Sequence, residues 1–251
     1  MLREITICFF LLLVLGFHAP AQDINTLRKE AERLENTHQE EALKKYQEIL
    51  RLQPSNLNAI IKMSELCSGI GHRQSTKPKK IDFFNAARKY AELALRLNAQ
   101  SSDANFAMSI AVGRMALIIG GKQKIEAVNE IKKYAELSIR YDATNFKAWH
   151  VLGKWHYEVS SLNALERTAA KVFYGGIPAG SIQQAIANYE KARSLKPDFI
   201  VNHLELAKAY YKNDQEKKAI ELLKSISKIP SLMQDDDRVK NEARELLKDW
   251  E

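Results

Sequence analysis

His150, His156 and Glu158 are side chains of the kind that ligate a metal. Two helix ligands for one ion stand three or four residues apart. Six apart places the two histidines about 240° from each other around a helix, so the spacing favours one core histidine and one surface histidine. Gly120-Gly121-Lys122 and Phe173-Tyr174-Gly175-Gly176 bring glycine together in the manner of a phosphate cradle. Neither has the remaining glycines of such a loop or a strand before it, and both read as helix stops. No G-x-S-x-G, H-E-x-x-H or Cys–His nucleophile arrangement occurs. Cys67 lies on an apolar helical face, as a small buried hydrophobe does. The expectation is a chain without catalytic residues, metal or cofactor, and so not an enzyme.

The elements that carry these side chains repeat. Ala42-x-x-x-Tyr46-x-x-Ile49-Leu50-x-Leu52-x-Pro54 returns as Ala185-x-x-x-Tyr189-x-x-Ala192-Arg193-x-Leu195-x-Pro197. Weaker copies begin at Ala87 and Ile131, and Lys-Tyr-Ala-Glu-Leu occurs verbatim at 89–93 and 133–137. One such helix cannot bury its apolar face alone, whereas stacked neighbours can. Apolar residues recur at three- and four-residue intervals and strand-like alternation is absent, so the chain reads as all-α. The paired helices fall near 23–36 with 38–52, 56–70 with 81–98, 102–119 with 123–141, 145–161 with 180–195, and 199–212 with 215–228. A closing helix follows near 235–249, where Asp235-Asp236-Asp237 suits a helix N-terminus.

The copies end at Pro54, Ala99, Ala143 and Pro197, which are 45, 44 and 54 residues apart. These helices resemble the second helices of tetratricopeptide repeats, whose period is about 34. Trp149-x-x-Leu152-Gly153 and Leu206-Ala207-x-x-Tyr210 resemble the first-helix pattern. The resemblance implies a right-handed α-solenoid of about five helix pairs with a C-terminal capping helix. It also implies extra length between paired helices, at 68–81 and, longest, at 163–180. Gly153, Ala185, Ala207 and Ala219 would let helices approach; Trp149, Tyr189 and Tyr210 would fill the gaps. A narrower resemblance covers about 100–250. Gly113-Arg114, Lys133-Tyr134-Ala135, 150–159 (His150 to Val159) and Phe173-Tyr174-Gly175-Gly176-x-Pro178 resemble the regulator of microtubule dynamics family. That resemblance implies a tetratricopeptide-like fold. Bacterial homologues often carry an export signal, and a microtubule function does not follow for an envelope protein.

On the repeat template the first helices line a concave face. His156 then packs inward at an aromatic position, and His150 points to the concave side. Asn58, Lys62 and Glu65, then Lys147, His150, Lys154 and Tyr157, then Lys208 and Tyr211 line the groove. Lysines and tyrosines in a trough suit an extended acidic peptide or a C-terminal carboxylate. The plainer alternative is a set of solvated helix faces, partly covered at the end by the closing helix. Within the insertion, Leu162, Leu165, Ala169, Val172 and Phe173 form an apolar stripe opposite Glu166, Arg167 and Lys171. This short helix either packs over the solenoid or forms a lip on the groove.

Residues 1–21 read as a secretory signal: Arg3, an apolar run over 5–17, and Ala19-Pro20-Ala21 before a cut at Gln22. The run is shorter than the roughly 20 residues of a membrane span. Residues 22–251 form the repeat domain, in the periplasm first and released second. After the cut Cys67 stands alone, so stability must come from packing without disulfides. The net charge of +7 favours anionic partners, and nucleic acid is excluded by export. The expected function is an exported protein-binding scaffold that assembles or maintains an envelope complex. Two alternatives stay open: a small-ligand carrier or enzyme accessory whose 163–180 insertion closes over Trp149, Trp155 and Tyr174, and a homo-oligomer through Leu246, Leu247 and Trp250.

Overall fold

Short polar caps start the repeats. Asn56, Ser101 and Asn145 each accept a hydrogen bond from the backbone N–H three residues on, at Ala59 (3.0 Å), Ala104 (3.2 Å) and Ala148 (3.2 Å). An oxygen at this position satisfies a donor that the first turn leaves free. The computed structural model describes residues 24–251, and the expected signal segment at 1–21 lies outside them. Among the described residues the chain is twelve α-helices and the turns between them. They are α1 (Ile24–Leu34), α2 (Gln39–Leu52), α3 (Leu57–Arg73), α4 (Lys77–Leu97), α5 (Ser102–Ala116) and α6 (Gly121–Tyr141). Then follow α7 (Phe146–Ser160), α8 (Ala164–Tyr174), α9 (Ile182–Leu195), α10 (Ile200–Lys212), α11 (Glu216–Ile226) and α12 (Asp236–Trp250). The helix pairs are α1–α2, α3–α4, α5–α6, α7–α9 and α10–α11, each packed on the next. The all-α solenoid expected from the repeats is what forms.

Small residues set the approach within pairs. A Cβ on Gly153 would lie 2.7 Å from the Tyr189 ring, and one on Gly71 would lie 2.8 Å from the Phe84 ring. Tyr46, Tyr189 and Phe84 are fully buried. The extra length is helical where a break was expected. In the second pair α3 runs on to Arg73 and α4 begins at Lys77, so residues 68–81 are mainly added turns. Pro78 sits in the first turn of α4, where its missing N–H breaks no bond.

Only the fourth pair gains a separate element. The Asn163 side chain accepts from Glu166 N (2.9 Å) and Glu166 Oε2 accepts from Asn163 N (2.9 Å), a capping box that starts α8. Gly175 and Gly176 end it at φ of 79° and 95°, values that favour glycine. The expected buried stripe is not the one formed. Leu165 is 78% and Val172 68% exposed, while Ala170 is buried. Arg167 turns inward to donate to the Leu162 (3.2 Å) and Val159 (2.5 Å) carbonyls that end α7. Pairing those free carbonyls with a guanidinium rotates the leucine and valine outward. The chain then returns so closely that a Cβ on Gly180 would lie 2.7 Å from Ser160 N and 2.9 Å from the His156 carbonyl. Gly180→Ala is expected to destabilise by about 1–2 kcal/mol, read as a lower denaturant midpoint. An unchanged midpoint would show that this return is not pinned.

α12 closes the array and does more than cap it. Val239 and Ala243 join the last core; Leu246, Leu247 and Trp250 pack against it. The apolar surface that an oligomer through these three residues requires is therefore used within the chain. Just before α12 the chain touches the opposite end of the solenoid. Gln234 N donates to Asn36 O (2.7 Å), and Gln39 N donates to Gln234 Oε1 (3.2 Å). Asp235 stands 3.6 Å from Arg73 at the end of α3.

Candidate functional site: a closed polar groove

Consecutive first helices, α3 with α5, α5 with α7 and α7 with α10, lie side by side. Their shared curvature is visible in one ion pair. Lys147 on α7 reaches Glu65 on α3 at 2.7 Å, past the intervening α5, where its Nζ also lies 5.3 Å from the Phe106 ring centre. A long-range pair of this kind requires the first helices to bend around a common concave side.

The groove lysines named from sequence are brought together, and each arrives with an acid. Lys62 pairs with Glu35 (2.9 Å). Lys154 pairs with Glu205 (2.7 Å) and Glu158 (2.9 Å). Lys208 lies between Glu205 (3.3 Å) and Glu242 of α12 (2.6 Å). Tyr211 is stacked on Trp250, ring centres 3.9 Å apart, so α12 covers the last repeat's share of the groove. Tyr157 sits between two cations, with Lys154 and Lys212 at 5.6 and 5.0 Å from its ring centre. Asn58 is exposed in the first turn of α3. His150 hydrogen-bonds Asn202 (3.0 Å), whose amide donates to the Tyr189 carbonyl (2.9 Å), and its ring contacts Phe199. His156 is buried edge-on against Trp155, apart from His150. Among the described residues no cluster of His, Cys, Asp and Glu is arranged to hold a metal ion.

The tryptophans of the small-ligand reading do not gather under α8. Trp155 is buried and donates to the Val128 carbonyl (2.8 Å), and Trp149 donates to the Ala143 carbonyl (2.9 Å). Beside α8 lies an open depression of about 600 Å³ lined by Asn129, Arg167, Lys171 and the 175–179 segment.

Electrostatics follow burial and pairing. Burial pushes Glu65 and Glu205 up, but Lys147 with Lys62, and Lys154 with Lys208, outweigh it and hold both carboxyls below their ordinary value. Burial holds His72, His150, His156 and His203 below the ordinary histidine value, His72 at about 4, with Arg114 and Arg238 adding to the effect there. A depressed histidine leaves the folded state binding fewer protons than the unfolded chain. Its stability is present above an unfolded value of about 6.5 and is lost as pH falls below it. The urea midpoint is expected to drop between pH 7.5 and 5, with further loss below about 4.5 as Glu65 and Glu205 protonate. A midpoint flat from pH 7.5 to 5 would mean that the imidazoles are solvated.

The sequence profile of the family Regulator of microtubule dynamics protein 1-3 matches residues 27–251. This chain belongs to that family. It is 24% identical over 185 residues to regulator of microtubule dynamics protein 3 of Xenopus laevis, covering 73% of this chain and 39% of the relative. It is 26% identical to regulator of microtubule dynamics protein 1 of Bos taurus, covering 69% of this chain and 55% of the relative. The matched region is thus about half the length of these curated relatives. The fold is also that of solved tetratricopeptide proteins. A thermophilic TPR protein of Thermus thermophilus superposes with a TM-score of 0.63 at 12% identity, over 89% of this chain and 98% of that one. PilF of Pseudomonas aeruginosa gives 0.54 at 12% identity, over 90% and 86%. This member of the regulator of microtubule dynamics family is thus tetratricopeptide-like in fold, an array of stacked helix pairs with a concave face.

Sequence reasoning placed Glu65 in this family member's groove but missed Glu35, Glu205 and Glu242, and the arginines. Arg73, Arg114 and Arg238 meet around Asp235 where α12 begins. Gly113-Arg114 was visible as a family-like block, but nothing in its spacing points to Asp235, far along the chain.

Proposed function

We propose that the chain is an exported, non-enzymatic scaffold whose concave groove takes an extended segment of a protein partner in the cell envelope. The observation that carries this reading is the groove itself: the turn after α1 and helices α3, α7, α10 and α12 all send polar side chains into one run of ion pairs. Helix pairs locked by fully buried tyrosines present that surface with little ordering cost on the scaffold side. Residues 1–21 act as the leader and maturation leaves Gln22 first, in the periplasm. The relatives' names speak of microtubule dynamics. What passes to an exported chain is partner binding by the fold.

Charge reversal of Lys147, Lys154 and Lys208 is a poor test, because it sets new carboxylates against Glu65, Glu205 and Glu242. A photo-crosslinking residue at Asn58 or Tyr157, compared with one at Lys171 on α8, is cleaner. Capture of one protein from the groove positions and not from α8 is the expected result. Capture from α8 alone would overturn the groove as the binding face. N-terminal sequencing of the recovered protein should begin at Gln22; an intact Met1 would overturn the leader.

A further inference from the structure

Lys62, Lys147, Lys154 and Lys208 each have an acid, whereas a more buried cation nearby has none. The side chain of Arg114, near the end of α5, makes no ion pair or hydrogen bond among the described residues, and its Nε is buried with no partner. Its surroundings are basic. Arg73 donates to Gln39 (2.9 Å) and is shared between Glu40 (3.3 Å) and Asp235 (3.6 Å). Arg238 stands 3.9 Å from Asp235 and 3.7 Å from Glu242. His72 adds a neutral imidazole from the end of α3. Three guanidinium groups from α3, α5 and α12 therefore converge on the single carboxylate of Asp235, which acts on Arg114 through space without pairing directly.

A buried cation without a counter-ion is costly unless something completes it. Burial, only partly offset by Asp235, pulls even this guanidinium down to about 10. The residue as a whole is half-buried rather than sealed, so a solute can still reach it. The nearby chain shows which group fits. Residues 232–235 cross to the first repeat, held by the Gln234 backbone on Asn36, and deliver a carboxylate to Arg73 and Arg238.

We propose that Arg114, with Arg73 and Arg238, forms a carboxylate-binding site in the groove, which takes an acidic side chain or C-terminus of a peptide beside Asp235. This rests on the scaffold reading above and names the chemistry of its partner. The peptide carboxylate accepts from Arg114, and Asp235 holds the other two arginines in place while limiting the positive charge.

The test titrates the full chain with a capped hexaglutamate peptide, a hexaglutamine peptide and inorganic phosphate at matched ionic strength. Hexaglutamate should bind and hexaglutamine should not. Arg114→Gln should weaken hexaglutamate about tenfold or more, the scale of one charge-assisted hydrogen bond. Lys122→Gln, at an exposed lysine of α6 already paired with Glu126, should change it by less than about twofold. Asp235→Asn, which leaves Arg114 intact and removes the competing charge, should tighten it. Equal affinity in wild type and Arg114→Gln, weaker binding in Asp235→Asn, or no hexaglutamate binding at all would each overturn the proposal. Phosphate binding without peptide binding would overturn it in favour of a phosphate ligand. If groove crosslinking to a partner persists undiminished in Arg114→Gln, the scaffold reading stands and only this site falls.

Discussion

Tyr189→Ala is expected to cost about 3–5 kcal/mol, while Tyr189→Phe should cost nothing. The ring is fully buried over Gly153, touches His150 at 5.5 Å between ring centres, and belongs to the core shared with α10, α11 and α12. Removing it opens a cavity that α7 and α9 cannot close, because the Asn202 amide is fixed on the Tyr189 carbonyl. The phenol hydroxyl, in contrast, is buried with no hydrogen-bond partner. Deleting it relieves an unsatisfied group and should leave stability equal or higher. Tyr46 occupies the matching position in the first repeat and gives the control. Its hydroxyl donates to Glu35 at 3.1 Å, so Tyr46→Phe should lose about 1 kcal/mol. Urea unfolding followed by circular dichroism measures all three. Repeat arrays are stabilised by nearest-neighbour interfaces, so Tyr189→Ala should also melt the tryptophan-bearing C-terminal pairs ahead of α1–α4. A loss below about 1 kcal/mol would show that the ring is not the wedge between these helices.

Where local rules decide an element, the sequence was readable. Gly153 faces Tyr189 within its pair, and Pro54 and Pro197 follow helix ends. Those relations span a few residues, or one helix pair whose template fixes which faces meet. The groove was half readable for the same reason. Helical spacing places Lys147, Lys154 and Lys208 on a common side. Their partners come from curvature: Glu65 is 82 residues from Lys147, and Glu205 is 51 from Lys154. A count of lysines therefore suggested a basic trough where a neutralised one forms. The outward stripe of α8 was unreadable because period alone does not say which side carries Arg167 to the end of α7.

Glu205→Ala is the second large effect, expected at about 2–3 kcal/mol. Glu205 is the least exposed carboxylate of the groove pairs, with 11% of its side chain accessible, and it ties Lys154 of α7 to Lys208 within α10. Removing one partner of a buried ion pair usually costs about 3–5 kcal/mol, because the remaining charge is stranded. Here each lysine keeps a second acid. Glu158 stands 2.9 Å from Lys154, and Glu242 stands 2.6 Å from Lys208. Lys154 is also 42% exposed, so solvent screens part of the loss. The effect therefore falls below the usual range but above that of a surface pair. A double-mutant cycle of Glu205→Ala with Lys154→Ala isolates the link between α7 and α10, and a coupling of about 1–2 kcal/mol is expected. Additive losses would mean that packing alone joins these helices. Lys154→Glu should be worse than either, since it sets three carboxylates, Glu158, Glu205 and the new one, together where Lys154 now pairs with two. That ordering, charge reversal below deletion below wild type, is what a neutralised groove requires and an unpaired basic groove would not produce.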